Sequence, residues 1–592
     1  MRFRLLLFIS FYFPGLFLTG FTQTLPLERS VDWTLAGLRD TTSNNFQKID
    51  MQAFGAVGDG LTPNDIIMSS VLSSNLGSGA ILEFPTGNFL FNYTIDLPSN
   101  IIIRGQGAES TILTMNLNGF GHAINVQGIS IGSDTTSLVQ TAIKDSSFII
   151  VLSPNNFTAG NWIQIIQQDT NLVSSDWAEN TVGQIVKIEN IVNNKIILSS
   201  PIRMDIDITA SPYIYKINPV QNVGIECLKI QRIDDTSPEH SSNIHFKNAV
   251  NCWVLGIESQ NCTYSHIEAE SCSNLFVSKS YIHHAFDYGE GGRAYGVMLH
   301  YTTNECLIEN NIFEHLRHSM ILQAGANGNV FAYNYSKDPF WTVSPSNSSG
   351  DMVLHGNYTY SNLFEQNICQ NIVIDNSHGP NGPYNTFLRN RSESFGIFFS
   401  ENNSPNQNFL GNDIPNTNWP YSIVNYTIRG TGHFIYGNNN KGVIDPPGTN
   451  ALPDLSYAYT ERPDFVPVEQ WASIGTPNII GTASIPARDR YNSGEIFSNA
   501  CVYPATDIEE NHEPGGDILI FPNPIKSYLS IKCNIYITNL TIINELGQVI
   551  HSHKDAGLFY QIDTKDWLTG TYIILIKLAN NKSILKKTVK VE

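Results

Sequence analysis

Along the middle of the chain, short apolar runs alternate with Asn, Gly and Ser, and one pattern keeps returning. It reads Ile308-x-x-Asn311, Phe331-x-x-Asn334, Phe364-x-x-Asn367, Phe387-x-x-Asn390, Phe409-x-x-Asn412 and Ile435-x-x-Asn438, at intervals of 23, 33, 23, 22 and 26 residues. Repeats of this length belong to solenoids, arrays or propellers. Two or three short apolar runs per repeat predict one coil each of a right-handed parallel β-helix. Unequal intervals fit that architecture, because loops of any length can leave a coil at its turns. The recurring Asn is expected to stack, each amide bonded to the next, as in other cross-β stacks.

A second row appears when the coils are aligned. Val297-Met298-Leu299-His300, Met320-Ile321-Leu322-Gln323, Met352-Val353-Leu354-His355 and Ile372-Val373-Ile374-Asp375 read as one strand in four consecutive coils, and Ile397-Phe398-Phe399-Ser400 continues it. Their strand-end residues should stack. At the spacing of parallel strands, five of them span roughly 19 Å, the length of a few sugar units. A polar rim would need only hydrophilic residues there, whereas two His and an Asp in register exceed that need.

The turn before this strand carries the long loops, at residues 283–293, 315–318 and 337–351, with Tyr288, Arg293, His315, Arg317, His318, Phe340 and Trp341. Loops stacked on one edge of a rigid scaffold can wall a cleft. Seven of the 15 His lie between 283 and 378, which places the expected site here. The opposite turn carries His378, followed by Arg389 and Arg391, which alternation would put on one face to hold a carboxylate or sulfate. The catalytic candidates are thus His300, Arg317, His318, His355 and Asp375. Tyr288, Arg293, His315, Gln323, Trp341, His378, Arg389 and Arg391 are expected to bind substrate. No cofactor is certain. Asp287, Glu290 and Asp351 are candidate ligands for Ca²⁺.

The expected organisation is all-β. Residues 1–22 read as a secretory signal, with Arg2 and Arg4 before an apolar run and Gly20 and Thr22 at the −3 and −1 positions. Residues 23–500 form the β-helix. Within them, 131–220 break the coil rhythm with hairpin-like alternation and predict a small inserted β subdomain, and the proline-bearing residues 441–500 are expected to wrap or cap the solenoid. Residues 501–516 read as a linker, and 517–592 as a separate C-terminal β-sandwich module.

Two stretches resemble known families. Phe54-Gly55-Ala56-Val57-Gly58-Asp59-Gly60-Leu61-Thr62-Pro63-Asn64-Asp65, before a short helix, resembles the entry of the pectate-lyase-like superfamily of carbohydrate-active β-helices. That motif implies architecture more than reaction, since lyases, hydrolases, epimerases and phage tailspikes share it. The tail has Ile520-Phe521-Pro522-Asn523-Pro524, Ile543-Asn544-Glu545-Leu546-Gly547-Gln548-Val549, Leu568-Thr569-Gly570-Thr571-Tyr572 and a closing Lys586-Lys587-Thr588-Val589. It resembles the type IX secretion sorting domain of Bacteroidetes. The resemblance implies handling by that machinery, a secreted or outer-membrane-surface location and removal of the tail.

Composition narrows the partners. A net charge of −19 argues against nucleic acid. After signal removal no segment is apolar enough to span a bilayer, and a monomer is expected. The eight Cys contain no CxxC pair, so they read as disulfides or as buried thiols in one stacked row. Three functions remain. A polysaccharide lyase acting on a pectin-, alginate- or ulvan-like uronate glycan needs a base, an acid and charge neutralisation, which the His and Arg candidates offer. A glycoside hydrolase needs two carboxylates about 5 to 9.5 Å apart, from Asp287, Glu290, Asp351 or Asp375. The combined Asn-Thr-Asp, Asp-Asp and Arg-Ile-Lys set of the polygalacturonase family is absent. The third is a non-catalytic glycan-binding surface solenoid.

Overall fold

The computed structural model describes residues 23–39, 46–74, 76–234, 240–289, 291–422, 427–497 and 501, and residues 518–590 apart from 522–524, 526, 545–547 and 580–582. The expected signal segment lies outside the described residues, as does nearly all of the expected linker. The chain divides into two compact units, Met1–Cys501 and Val502–Glu592.

The first unit is a right-handed parallel β-helix. One face is a 12-stranded parallel sheet running from Gln47–Asp50 to Phe434–Tyr436. Its inward positions repeat in strict register, with Ile308 paired to Phe331, Phe331 to Phe364, Phe364 to Phe387 and Phe387 to Phe409. The four Phe rings stack at 5.1, 5.0 and 5.1 Å, which fills the core with one repeated shape.

The Asn ladder forms at the corner after this face. The side-chain amide of Asn311 donates to Asn334 at 3.0 Å, and the chain of bonds continues through Asn367, Asn390 and Asn412 to Asn438 at 3.0, 2.9, 3.2 and 2.8 Å. Each amide also donates to a backbone carbonyl of the coil before it, as Asn367 does to Phe331 at 2.8 Å. The residue ahead of each ladder Asn is left-handed, at φ 54° for Asn310, 55° for Tyr333 and 55° for Gln366 and Arg389. That conformation turns the chain sharply, and the ladder satisfies the amides which the turn leaves without sheet partners. A second ladder, Asn329–Asn362–Asn385–Gln407, lines the corner before the same face at 3.0, 2.9 and 3.0 Å.

Residues 129–218 leave the coils as an antiparallel six-stranded sheet with its own core of Ile149, Ile163, Val186, Ile196 and Ile214. This insert is bolted to the solenoid by Arg203, which pairs with Glu305 and donates to Asn327 at 2.8 Å, and by Asn304, which exchanges bonds with the Ile185 backbone at 2.8 and 3.1 Å. Residues 441–497 contribute little regular structure and pack on the first face through Leu452, Val466, Ile474 and Ile485. Cys227 is bonded to Cys501, whereas Cys252, Cys262, Cys272, Cys306 and Cys369 are buried thiols.

The second unit is one five-stranded antiparallel sheet, Ile518–Phe521, Tyr528–Asn544, Val549–Asp563, Gly570–Leu578 and Ser583–Lys590. It has a separate core around Leu529, Ile531, Leu540, Ile542 and Ile574.

Candidate active site

The second row lies on another parallel sheet of the solenoid. Val297 pairs with Met320, Met320 with Met352, Met352 with Ile372 and Ile372 with Ile397, which is the alignment read from the sequence. Val297, Leu299, Met320, Leu322, Met352, Leu354, Ile372 and Ile374 point into the core. Alternation therefore turns His300, Gln323, His355 and Asp375 outward. The row also extends toward the N-terminus, since His300 pairs with Glu270 and Glu270 with Lys247.

His355 and Asp375 form a close pair at the C-terminal end of this row. Their Nδ1 and Oδ2 atoms are 2.6 Å apart. Asp375 also accepts from the Ser377 hydroxyl at 2.6 Å and its amide at 3.1 Å. Burial works against ionisation of Asp375, but the contacts to His355 and Ser377 outweigh it and hold the carboxyl well below its ordinary range. The carboxylate lies against Nδ1 as an ion-pair contact that is out of hydrogen-bond alignment, and Nε2 is the ring nitrogen left for proton transfer. The His378 ring meets His355 edge-on at 4.9 Å, and Trp177 of the insert meets His378 at 5.4 Å and Tyr301 at 5.9 Å. Trp177 remains 43% exposed, so its face is open beside the row.

His318 is not in a loop but opens the strand His318–Leu322. Its Nδ1 hydrogen-bonds the Gly350 carbonyl at 2.9 Å, and its ring stacks on Tyr295 at 5.3 Å and lies 5.6 Å from His355. Burial, helped by the charge of His355, pushes its pKa down to about 3. His318 is therefore a neutral ring at physiological pH and cannot supply a proton as an imidazolium.

At the other end of the row, His300 is buried beside Glu268 and Glu270, with Nε2 at 3.2 and 3.7 Å from one oxygen of each. Lys247 holds Glu270 at 2.6 Å. Glu270, Lys247 and Tyr301 line a cleft of 320 Å³ whose other wall is the insert, with Gln164, Trp177, Glu179 and Tyr215. The sequence reading missed Lys247, Glu268 and Glu270, although carrying the row back two coils would have found them. Trp177 had no such signal, because the insert brings it from outside the repeat.

Several expected roles do not survive. Arg389 and Arg391 do not share an open face. Arg389 sits in the left-handed turn, fully buried, and donates to the carbonyls of Leu452, Asp454, Ile474 and Thr476 at 2.7 to 3.1 Å. Arg391 is equally buried, donating to Ala483 at 2.5 Å and lying 3.7 Å from Asp413. Both clamp residues 441–497 onto the coils, so neither can hold a substrate anion. Asp351 is consumed internally by the Ser336 hydroxyl at 2.5 Å and the Gln370 and Asn371 amides at 2.9 and 2.8 Å; burial raises its pKa to about 6. It cannot join Asp287 around Ca²⁺, and Glu290 lies outside the described residues. His315 pairs with Asp338 at 2.7 Å and stacks on His284 and Phe340 at 5.0 and 4.8 Å, with Tyr288 at 4.9 Å. Arg293 lies 3.7 Å from Asp287. Arg317 donates to Gly289 at 2.8 Å and lies over Trp341 at 5.7 Å. These contacts knit the loop edge to itself and toward His284, while the Arg317 charge is felt by His318 and Tyr295 beside the His355 row.

Comparison with known proteins gives the following. Residues 519–591 match the family model of the secretion system C-terminal sorting domain. The protein therefore carries a type IX export address and is secreted or held at the outer-membrane surface. No helix among the described residues is long and apolar enough to cross a membrane. No curated protein matches the chain. Among solved structures, it is similar to the tailspike gp49 from Pseudomonas phage LKA1, at 18% identity over 62% of this chain and 64% of the tailspike, with a TM-score of 0.48. The chain thus spans under two thirds of that tailspike. It is also similar to the mannuronan C-5 epimerase AlgE6 A-module of Azotobacter vinelandii, at 10% identity over 65% and 98% of the two chains and a TM-score of 0.33. An exopolygalacturonase from Thermotoga maritima matches at 12% identity over 64% and 83%, with a TM-score of 0.31.

Proposed function

We propose that this protein is an exported polysaccharide lyase that cleaves a uronate-containing glycan by β-elimination. The observation that carries the reading is the His355–Asp375 pair, 2.6 Å apart on the outward face of the solenoid. In this reading His355 Nε2 removes the C5 proton while Asp375 stabilises the imidazolium. The C4–O4 bond breaks, a C4=C5 double bond forms, and the imidazolium returns the proton to the leaving glycosidic oxygen. His378 closes the pair on one side, and the exposed face of Trp177 is placed to stack on a sugar ring. An export address fits a substrate outside the cell.

At the His355 end of the row the carboxylates favour elimination over hydrolysis; the close carboxylate pair, Glu268 and Glu270, stands at the other end. Asp375 is engaged by His355, and Glu270 is four register steps away along the row, roughly 19 Å at the spacing of parallel strands. A hydrolase pair stands within about 9.5 Å. The test is a panel of uronate and neutral polysaccharides followed by absorbance near 235 nm and by reducing-end release. Absorbance rising with new reducing ends on a uronate glycan is the expected result. Reducing ends without absorbance would make the protein a hydrolase, and neither signal across the panel would leave a binding solenoid.

A further inference from the structure

We propose that His245, Glu268, Glu270 and His300 form a binding site for one divalent transition-metal cation of the zinc class. The proposal stands apart from the lyase reading, since it concerns the opposite end of the row and is tested without activity.

The donors converge from three successive coils, with Ile244–Lys247, Ser265–Glu270 and Tyr295–His300 in parallel register. One ligand atom each of His245, Glu268 and Glu270 lies within 4.8 Å of the others. His300 is the independent sign of a missing partner. Its side chain is 4% exposed, its Nε2 points at Glu268 Oε1 and Glu270 Oε1, and neither ring nitrogen is in hydrogen-bond geometry with any group. A buried imidazole held only by two ion-pair contacts out of hydrogen-bond alignment is costly, and a shared cation would satisfy its Nε2 together with both carboxylates.

Around His245, Glu268 and Glu270 the atoms are arranged as metal ligands require, whereas His300 Nδ1 has no such support. A ligating His has its other nitrogen held by an oxygen, and ligating carboxylates are themselves bonded. His245 Nδ1 is 2.9 Å from Asn125 Oδ1, which directs Nε2 to the cluster. The Ser242 hydroxyl holds Glu268 Oε2 at 2.5 Å and Lys247 holds Glu270 Oε2 at 2.6 Å, so each Glu keeps Oε1 for the ion. Two imidazoles with two carboxylates suit zinc or manganese, whereas Ca²⁺ takes oxygen ligands. Glu270 also lines the 320 Å³ cleft, which gives the ion a path from solvent.

The experiment uses the full chain, free of any affinity tag and stripped with a chelator. Zn²⁺ is titrated by calorimetry, and metal content is measured by elemental mass spectrometry after removal of the excess. One equivalent per chain is expected. His300→Gln and the partly exposed Glu270→Gln should each weaken Zn²⁺ binding by at least about 10-fold, the lower bound for disturbing a metal site, while melting of the stripped proteins shows that both fold. Less than a tenth of an equivalent in the wild type, or a loss below that bound in either folded variant, overturns the proposal.

Discussion

Two stacks run along this solenoid, and they differ in one respect. At the corner, Asn311, Asn334, Asn367, Asn390, Asn412 and Asn438 repeat one residue whose amide is both donor and acceptor, so every member satisfies its neighbours. On the outward sheet face, Lys247, Glu270, His300, Gln323, His355 and Asp375 occupy an equally regular file, yet no two adjacent members are alike. A self-complementary stack serves the coil. A file of differing polar and ionisable groups does nothing for the coil that Asn or Val could not do better, and this is where we propose the chemistry.

The largest effect expected from this contrast is on stability. Asn367→Leu removes the acceptor of the Asn334 backbone and side-chain amides and the side-chain donor to the Phe331 carbonyl and to Asn390, which keeps only the residue 367 backbone N–H. At about 1–3 kcal/mol per buried unsatisfied group, the loss should exceed ~3 kcal/mol in a denaturant melt of the solenoid. Arg389→Ala should behave likewise, because four carbonyls lose their donor, and it should leave KM of the folded fraction unchanged. Tolerance of Asn367→Leu within ~1 kcal/mol would remove the structural half of the comparison.

Trp177→Ala is expected to act on binding. An exposed Trp beside Tyr301 and His378 supports no core, so melting should hold while KM for the glycan rises roughly 10-fold or more, as for an aromatic anchor. Unchanged KM would move the substrate path away from the insert.

The smallest effect concerns pH. His318 has a pKa of about 3 when folded and 6.5 unfolded, so as pH falls below 6.5 the unfolded chain takes up the proton first. The stability that His318 confers is complete above pH 6.5 and is lost as pH drops toward 3. The stability difference between wild type and His318→Gln should therefore shrink by about 1.4 kcal/mol between pH 7.5 and 5.5. A difference that stays constant, measured by paired melts, would show an open and ordinary imidazole.

How far the sequence reaches follows the same division. The ladder and the row were legible because the coil period carries them: a Phe-x-x-Asn spacing fixes a corner, and a V-M-L-H type of strand fixes inward and outward positions. Arg389 and Arg391 misled because the carbonyls that bury them come from residues 452–483, a stretch with no periodic signal. Alternation also failed there, since Arg389 stands in a left-handed turn and not in a strand. Asp351 ends the 337–351 loop in the sequence and read as a candidate Ca²⁺ ligand, but its partner amides belong to the next coil. Glu268 and Glu270 were within reach of the same register, one coil before His300. Trp177 was out of reach, because only the tertiary docking of the insert brings it to the row.

The central claim is that chemistry sits at the His355–Asp375 pair. Turnover of His355→Gln on the glycan that the wild type degrades, followed at 235 nm beside a thermal melt, tests it most directly. The account predicts a fall in kcat of at least ~100-fold, the range for a lost general base, with melting close to wild type because the side chain points away from the core. Near-wild-type turnover in a folded His355→Gln protein would contradict it.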